Sequence, residues 1–340
     1  MFEKYNSKGL TGLANLGNTC FLNTILQCLS HTYEFKQFLD DDQHKDKLNK
    51  TPESLLLVEW NSLQKMMWKE NCVIQPNKFL KIVHQVAKFK KRDIFTGYSQ
   101  NDCQEFFVFL LECFHSSMQR EVEMEITGNV KSKKDELAIK CYEMMKDMYT
   151  KEYSEILNFF SGILITKIMD IDEKETLSIK TEPIFMISLA VNNGNSLEQL
   201  FDNFVLSEKL VGDDQYFNDK LDKKQDAIKK ALFWSLPEIL VIDLKRWSIT
   251  NKRKISSIID FPLENLDLSK YISGYKKDSY VYDLYGICNH TGGTNGGHYF
   301  AYVKNANKKW YIFNDTIVRE MSESKLVSQY AYCLFYRKKK

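Results

Sequence analysis

The chain has 340 residues, 44% of them hydrophobic, which is enough for a sizeable core, and its formal net charge of +2 offers no strongly basic face to nucleic acid. Its 8 cysteines follow no framework spacing and no signal-peptide pattern opens the sequence, so a reducing compartment, cytosol or nucleus, is expected. No apolar stretch is long enough to span a bilayer, so a membrane is not an expected partner.

Taken in chain order, Gly9, Gly12 and Gly17 break regular structure before position 20, and Leu22, Ile25, Leu26 and Leu29 then recur at helical spacing. A helix over Cys20–Leu29 follows, starting near Thr19. Helical patterns are also read at Pro52–Trp68, Pro76–Phe89, Gln100–His115 and Asp135–Phe160, with a polar loop over Asp40–Thr51 and a charged connection over Gln119–Lys134. After Phe160 the pattern alternates as strands do, over Ile163–Ile171, Thr176–Ile179 and Ile184–Leu189. A short helix is predicted at Ser196–Phe204, then strands at Ile239–Lys245 and Tyr280–Cys288. The stretch after His298 and the stretch 308–318 form a predicted hairpin turning at Lys304–Lys309. An α-rich first half and a β-rich second half make the expected fold class α+β.

The helix start at Cys20 carries the first chemical signal. Unpaired N–H groups and the positive end of the helix dipole favour thiolate over thiol, and the thiolate is the nucleophile. A base is offered far downstream, where His298 follows the pair Gly296 and Gly297. Glycines let a backbone approach a substrate closely, and the following strand holds the imidazole on a rigid element. Hairpin pairing puts Asn314 or Asp315 beside His298, since side chains alternate faces and only one of the two can face the ring. Cys, His and Asn/Asp in that order suit a thiol hydrolase. Cys28, Cys113 and Cys333 read as small buried hydrophobes, and His31, His44, His84 and His115 as ordinary surface or core residues. His290 reads as a loop residue ahead of the glycines.

The segments GLANLGNTCFLNTILQCL and YGICNHTGGTNGGHYFAYVKNANKKWYIFNDTIV resemble the Cys and His boxes of the ubiquitin-specific protease family of deubiquitinases. GYSQNDCQEFFVFLLECFH at 97–115 resembles its glutamine-aspartate box, and LPEILVIDLKRW at 236–247 its leucine-rich Lys-Arg-aromatic box. Four such strings in the family's order make coincidence untenable. The resemblance implies a papain-like peptidase, a single catalytic domain over 1–340. Its parts would be a helical thumb to about residue 160, β fingers over about 161–230 and a β palm over about 231–340. It implies Cys20 as nucleophile, His298 as base, Asn314 as orienter with Asp315 assisting nearby, and Asn15 as oxyanion donor beside the Cys20 N–H. Asn18 shapes the turn or caps the helix. Asp102 and Glu105, at helical i, i+3 spacing, would face the arginines of the ubiquitin tail, and Gly296, Gly297 and Tyr299 would line its narrow channel. The implied partners are ubiquitin and ubiquitinated proteins, with the enzyme a monomer and no cofactor. A peptidase for a ubiquitin-like modifier and a non-catalytic ubiquitin-binding scaffold are the alternatives.

The chain departs from many members in the fingers, where two C-x-x-C pairs hold zinc. The corresponding positions are Asp170, Glu173, Asn218 and Leu221, so no four-thiolate site can form and no metal is expected.

Overall fold

In the computed structural model, residues 2–248, 253–293 and 296–340 are described. Eight α-helices are present among them: α1 (Cys20–Ser30), α2 (Tyr33–Asp40), α3 (Pro52–Lys69), α4 (Asn77–Phe89), α5 (Cys103–Met118), α6 (Lys133–Glu152), α7 (Ile156–Phe160) and α8 (Leu197–Val205). Their starts follow local chemistry. Pro52 opens α3, and Ser132, Asp102 and Ser196 each cap a helix by accepting a bond from a first-turn N–H.

Among the boundaries that differ from the sequence reading, two have a clear local cause. The helix read over Asp135–Phe160 is two helices, because Tyr153 leaves the helix and exchanges both backbone bonds with Arg120, at 2.8 and 2.9 Å. The Arg120 guanidinium then grips Glu155 at 2.7 and 3.0 Å, fixing the break. Helix α5 starts at Cys103 and not at Gln100, because Asp102 is spent as its cap.

The strands run β1 (Gly12–Leu13), β2 (Val73–Ile74), β3 (Gly162–Asp170), β4 (Thr176–Ile184), β5 (Ile187–Ala190), β6 (Glu208–Leu210), β7 (Tyr216–Asn218), β8 (Lys223–Gln225) and β9 (Ala227–Ser235). They continue with β10 (Ile239–Lys245), β11 (Trp247–Ser248), β12 (Arg253–Lys254), β13 (Leu266–Asp267), β14 (Val281–Gly293), β15 (Gly296–Lys304), β16 (Trp310–Asn314), β17 (Ile317–Met321) and β18 (Ala331–Lys338). The large sheet has the order β17-β16-β15-β14-β18-β10-β5, with β13 on β14, and a separate sheet has the order β4-β3-β9-β6. The fold is therefore α+β, as its pattern of periods implied. The β3–β4 and β7–β8 turns, which carry the positions where zinc thiolates would stand, are held by side-chain to backbone bonds. Asp170 Oδ1 accepts from Glu175 N–H at 2.8 Å, and Asn218 Oδ1 accepts from Lys220 N–H at 3.0 Å.

Helix α1 is the axis of the molecule. All 11 of its residues are buried, between α5 on one side and β14, β15 and β16 on the other. Leu22, Ile25, Leu26 and Leu29 are fully buried. Each contributes roughly 1.5–3 kcal/mol of transfer free energy, so the helix bearing Cys20 is held by apolar burial along its whole length. Its polar residues pin the preceding loop: Gln27 Nε2 donates to Thr11 O at 2.8 Å, and Asn23 Nδ2 to Leu13 O at 3.2 Å.

Candidate active site

The loop before α1 is built by one side chain. Asn15 Oδ1 accepts from the N–H groups of Gly17 and Thr19, both at 3.1 Å, folding the chain into a tight turn. Gly17 and Asn18 take left-handed φ values of 96° and 58°, and Asn18 Nδ2 anchors the turn on Tyr98 O at 2.9 Å. Asn18 thus shapes the turn. Cys20 emerges as the first residue of α1.

Opposite it, β15 carries His298. The register Ala301↔Phe313, continued by one residue, sets Asn314 across from Phe300 and diagonal to His298 on the same face. His298 Nε2–H donates to Asn314 Oδ1 at 2.6 Å. That bond fixes the tautomer and leaves Nδ1 as the basic nitrogen. Of the two candidates that sequence periodicity left open, Asn314 makes this contact.

Asp315 does different work. Its φ of 50° ends the strand, and its carboxylate accepts from Asn15 Nδ2 at 3.0 Å and Asn23 Nδ2 at 2.8 Å. Its backbone carbonyl accepts from Leu13 N–H at 2.9 Å. Gly12 lies so close to this turn that a Cβ there would stand 2.5 Å from Thr316 O. Asp315 therefore ties the turn after β16 to the loop before Cys20, which keeps the two halves of the site in register.

Burial works against the helix start at this thiol. Cys20 is only 4% exposed, and burial pushes its thiol up from the ordinary range. Backbone bonds with Tyr299, Phe21 and Cys20 itself pull the other way, and the Asp315 carboxylate pushes up again. Burial is the largest of these influences, and the net shift is upward. No hydrogen bond joins Cys20 Sγ to His298 among the described residues, a loose arrangement common to sites without substrate.

Other expected residues divide. Asp102 does not share an open helix face with Glu105: one oxygen caps α5 at Gln104 N–H (2.9 Å) and the other accepts from Tyr332 O–H (2.6 Å). Burial raises its pKa, with those two bonds opposing. Glu105 is exposed and lines a cavity of 370 Å³ with Gln104, Arg92, Glu112 and Asp243. Tyr299 turns its ring into the core, 4.5 Å from that of His290, so only its backbone meets the site. His290 itself is a buried β14 residue paired with Tyr299, not a loop residue. Lys254 Nζ donates to its Nδ1 at 3.0 Å. Burial, then Lys254, lowers its pKa to about 4.

Gly296 and Gly297 lie at the mouth. A Cβ on Gly297 would stand 2.2 Å from both His290 Nε2 and Thr291 O, so this position admits only glycine. Thr294 and Asn295, in the same box, lie outside the described residues. Sequence reasoning missed His290 and Gln100, whose side chain bonds Gly297. The tight contact of His290 with a glycine twisted into the opposite strand has no local sequence signal.

Residues 11–336 match the family model described as "Ubiquitin carboxyl-terminal hydrolase". The chain is 34% identical over 342 residues to Ubiquitin carboxyl-terminal hydrolase Usp2 of Drosophila melanogaster, covering 98% of this chain and 35% of that protein. It is 33% identical over 347 residues to Ubiquitin carboxyl-terminal hydrolase 2 of Homo sapiens, covering 97% and 55%. This chain thus spans about half or less of the length of these relatives. Among solved structures it is similar to the SAGA Ubp8/Sgf11/Sus1/Sgf73 DUB module bound to ubiquitin aldehyde, with a TM-score of 0.76 and 26% identity over 99% of this chain and 71% of that one. A Cys20 helix start faced by a His298–Asn314 pair, found within a match of this extent, leaves one conclusion: the chain belongs to the ubiquitin carboxyl-terminal hydrolase family.

Proposed function

We propose that this chain is a cysteine deubiquitinase that hydrolyses the peptide or isopeptide bond after the C-terminal glycine of ubiquitin. The observation that carries the reading is the 2.6 Å bond from His298 to Asn314 on the strand facing the Cys20 helix start. With Nε2–H held by Asn314, Nδ1 takes the Cys20 proton as the sulfur attacks the carbonyl carbon. The oxygen that gains charge is met by the Cys20 N–H and by Asn15 Nδ2, whose amide Asp315 orients through the 3.0 Å bond. The imidazolium then protonates the leaving amine. Water, deprotonated by the same ring, attacks the thioester and frees the sulfur.

The tail of ubiquitin would reach the sulfur past Gly296 and Gly297, with exposed Glu105 as the carboxylate available to its arginines. Asp102 is committed to its cap and to Tyr332 and takes no part in that contact. The test is hydrolysis of a ubiquitin C-terminal fluorophore amide, with ubiquitin-like modifiers as parallel substrates. Turnover of the ubiquitin amide, lost in Cys20→Ala while ubiquitin still binds, is the expected result. Turnover only with a ubiquitin-like modifier, or undiminished turnover in Cys20→Ala, would overturn it.

A further inference from the structure

The edge of β15 beside Cys20 is bonded to something other than a strand. On its other side β14 pairs with β15 along its whole length, from Gly286↔Val303 to Gly293↔Gly296. On this side β16 pairs only from Lys304 back to Ala301. The outward backbone groups of residues 297–299 are therefore left without a neighbouring strand. Gly297 spends both of its groups on one side chain: its N–H donates to Gln100 Oε1 at 3.0 Å, and its carbonyl accepts from Gln100 Nε2 at 3.2 Å.

A primary amide offers one acceptor and one donor at nearly the spacing of a peptide group, so this two-bond ring reproduces one rung of a β-ladder. The rung is held from both sides. Gln100 hangs two residues before Asp102, which is fixed by Gln104 N–H and Tyr332. Gly297 is backed by His290, which leaves no room for it to recede. The latch is solvent-exposed.

We propose that Gln100 is a specificity-determining latch that stands in for substrate. It occupies the Gly297 rung at rest, and an extended, glycine-terminated peptide tail displaces it by adding as a short strand to the same edge. This rests on the deubiquitinase reading of the site. The chemistry explains why an extended backbone, not a side-chain anchor, releases the latch: only a peptide with a free N–H and a free C=O returns both bonds to Gly297. A small thiol reagent returns neither.

The competitor should weaken substrate binding by about the worth of its net bonds, roughly fivefold for one typical hydrogen bond. The experiment is steady-state hydrolysis of a ubiquitin C-terminal fluorophore amide by the whole chain and by Gln100→Ala, Gln100→Asn and Gln100→Glu. Ala removes both bonds, Asn is too short to span, and Glu keeps the acceptor but sets a carboxylate against the Gly297 carbonyl. All three are expected to lower KM by about fivefold with kcat changed less than twofold. The alkylation rate of Cys20 by iodoacetamide should stay within twofold, which a general loosening of the site would not allow. Unchanged or raised KM, or a fall in kcat at constant KM, would overturn the latch and make Gln100 a support for His298. If the unaltered chain does not turn over the substrate at all, the deubiquitinase reading has failed instead. A melting temperature within error of the unaltered chain shows that each variant is folded, and Gln100→Asn serves if Gln100→Ala is not.

Discussion

Replacing Asn314 by alanine isolates the bond that sets the base. At rest the 2.6 Å contact joins two neutral groups, but once His298 takes the Cys20 proton the donor is an imidazolium and the bond is charge-assisted. Bonds to charged groups contribute about 1.5–3 kcal/mol, and that difference, felt in the transition state, corresponds to roughly a 10- to 100-fold loss in kcat. The melting temperature should hardly move, since Asn314 is only half-buried at the end of its strand. Asp315→Ala should behave in the opposite sense. It removes two carboxylate bonds, at 3.0 and 2.8 Å, that join the turn after β16 to the Cys20 loop and to α1. Its main effect is a melting temperature lowered by a few degrees, from roughly 1–3 kcal/mol of lost bonding, with a smaller loss of kcat. The assay is initial-rate hydrolysis of a ubiquitin fluorophore amide beside a thermal melt of each variant. A kcat for Asn314→Ala equal to that of the unaltered chain, or a larger loss in Asp315→Ala, would refute the assignment.

Three further expectations concern titration and metal. Because burial raises the Cys20 thiol, iodoacetamide labelling of the resting enzyme at that residue should rise through a midpoint above the ordinary cysteine value of about 8.5, and a midpoint below 8 would show that the helix start prevails. His31 is fully buried, its Nδ1 bonded to Gln27 O at 3.0 Å, and burial lowers its pKa from 6.5 to about 4. The unfolded chain therefore binds the proton first, so this stability is present above pH 6.5 and is lost as the pH falls toward 4, roughly 3 kcal/mol in all. Denaturant titrations across that range should show a shallower slope in His31→Gln, and an identical slope would count against the buried neutral imidazole. Finally, a strong chelator should leave the melting temperature unchanged, since Asp170, Glu173, Asn218 and Leu221 are no zinc set. Stoichiometric zinc together with a chelator-induced fall in melting temperature would contradict this.

What could be read from the sequence was local or periodic. The start of α1 at Cys20 was visible because glycines precede it and an apolar stripe follows. The His298 hairpin was visible from its turn and alternating aromatics, but its register was not: periodicity left Asn314 and Asp315 both open, and the pairing Ala301↔Phe313 in the structure is what sets Asn314 on the face of the imidazole. What could not be read depended on contacts between distant segments. Spacing gave Asp102 and Glu105 a shared helix face, but Asp102 stands one residue outside the helix, where a capping carboxylate is worth more than an exposed one. His290 looked like loop because glycines follow it, yet β14 continues through it, and its ring fills the space that the missing Gly297 side chain leaves. The break at Tyr153 depends on Arg120, 33 positions earlier, across a charged connection with no periodic signal. The burial around Cys20 was out of reach for the same reason. The dipole is written in the local sequence, whereas the burial that opposes it comes from strands almost 280 residues away.

The central claim is that Cys20 is the nucleophile for a bond at the end of ubiquitin. The measurement that tests it most directly is reaction with a ubiquitin whose C-terminus carries a thiol-reactive electrophile, followed by intact-mass analysis and peptide mapping. The account predicts a single adduct on Cys20, absent in Cys20→Ala and slowed in His298→Ala, with the solvent-exposed Cys72 unlabelled. An adduct on Cys72, an undiminished adduct in Cys20→Ala, or no adduct at all would contradict it.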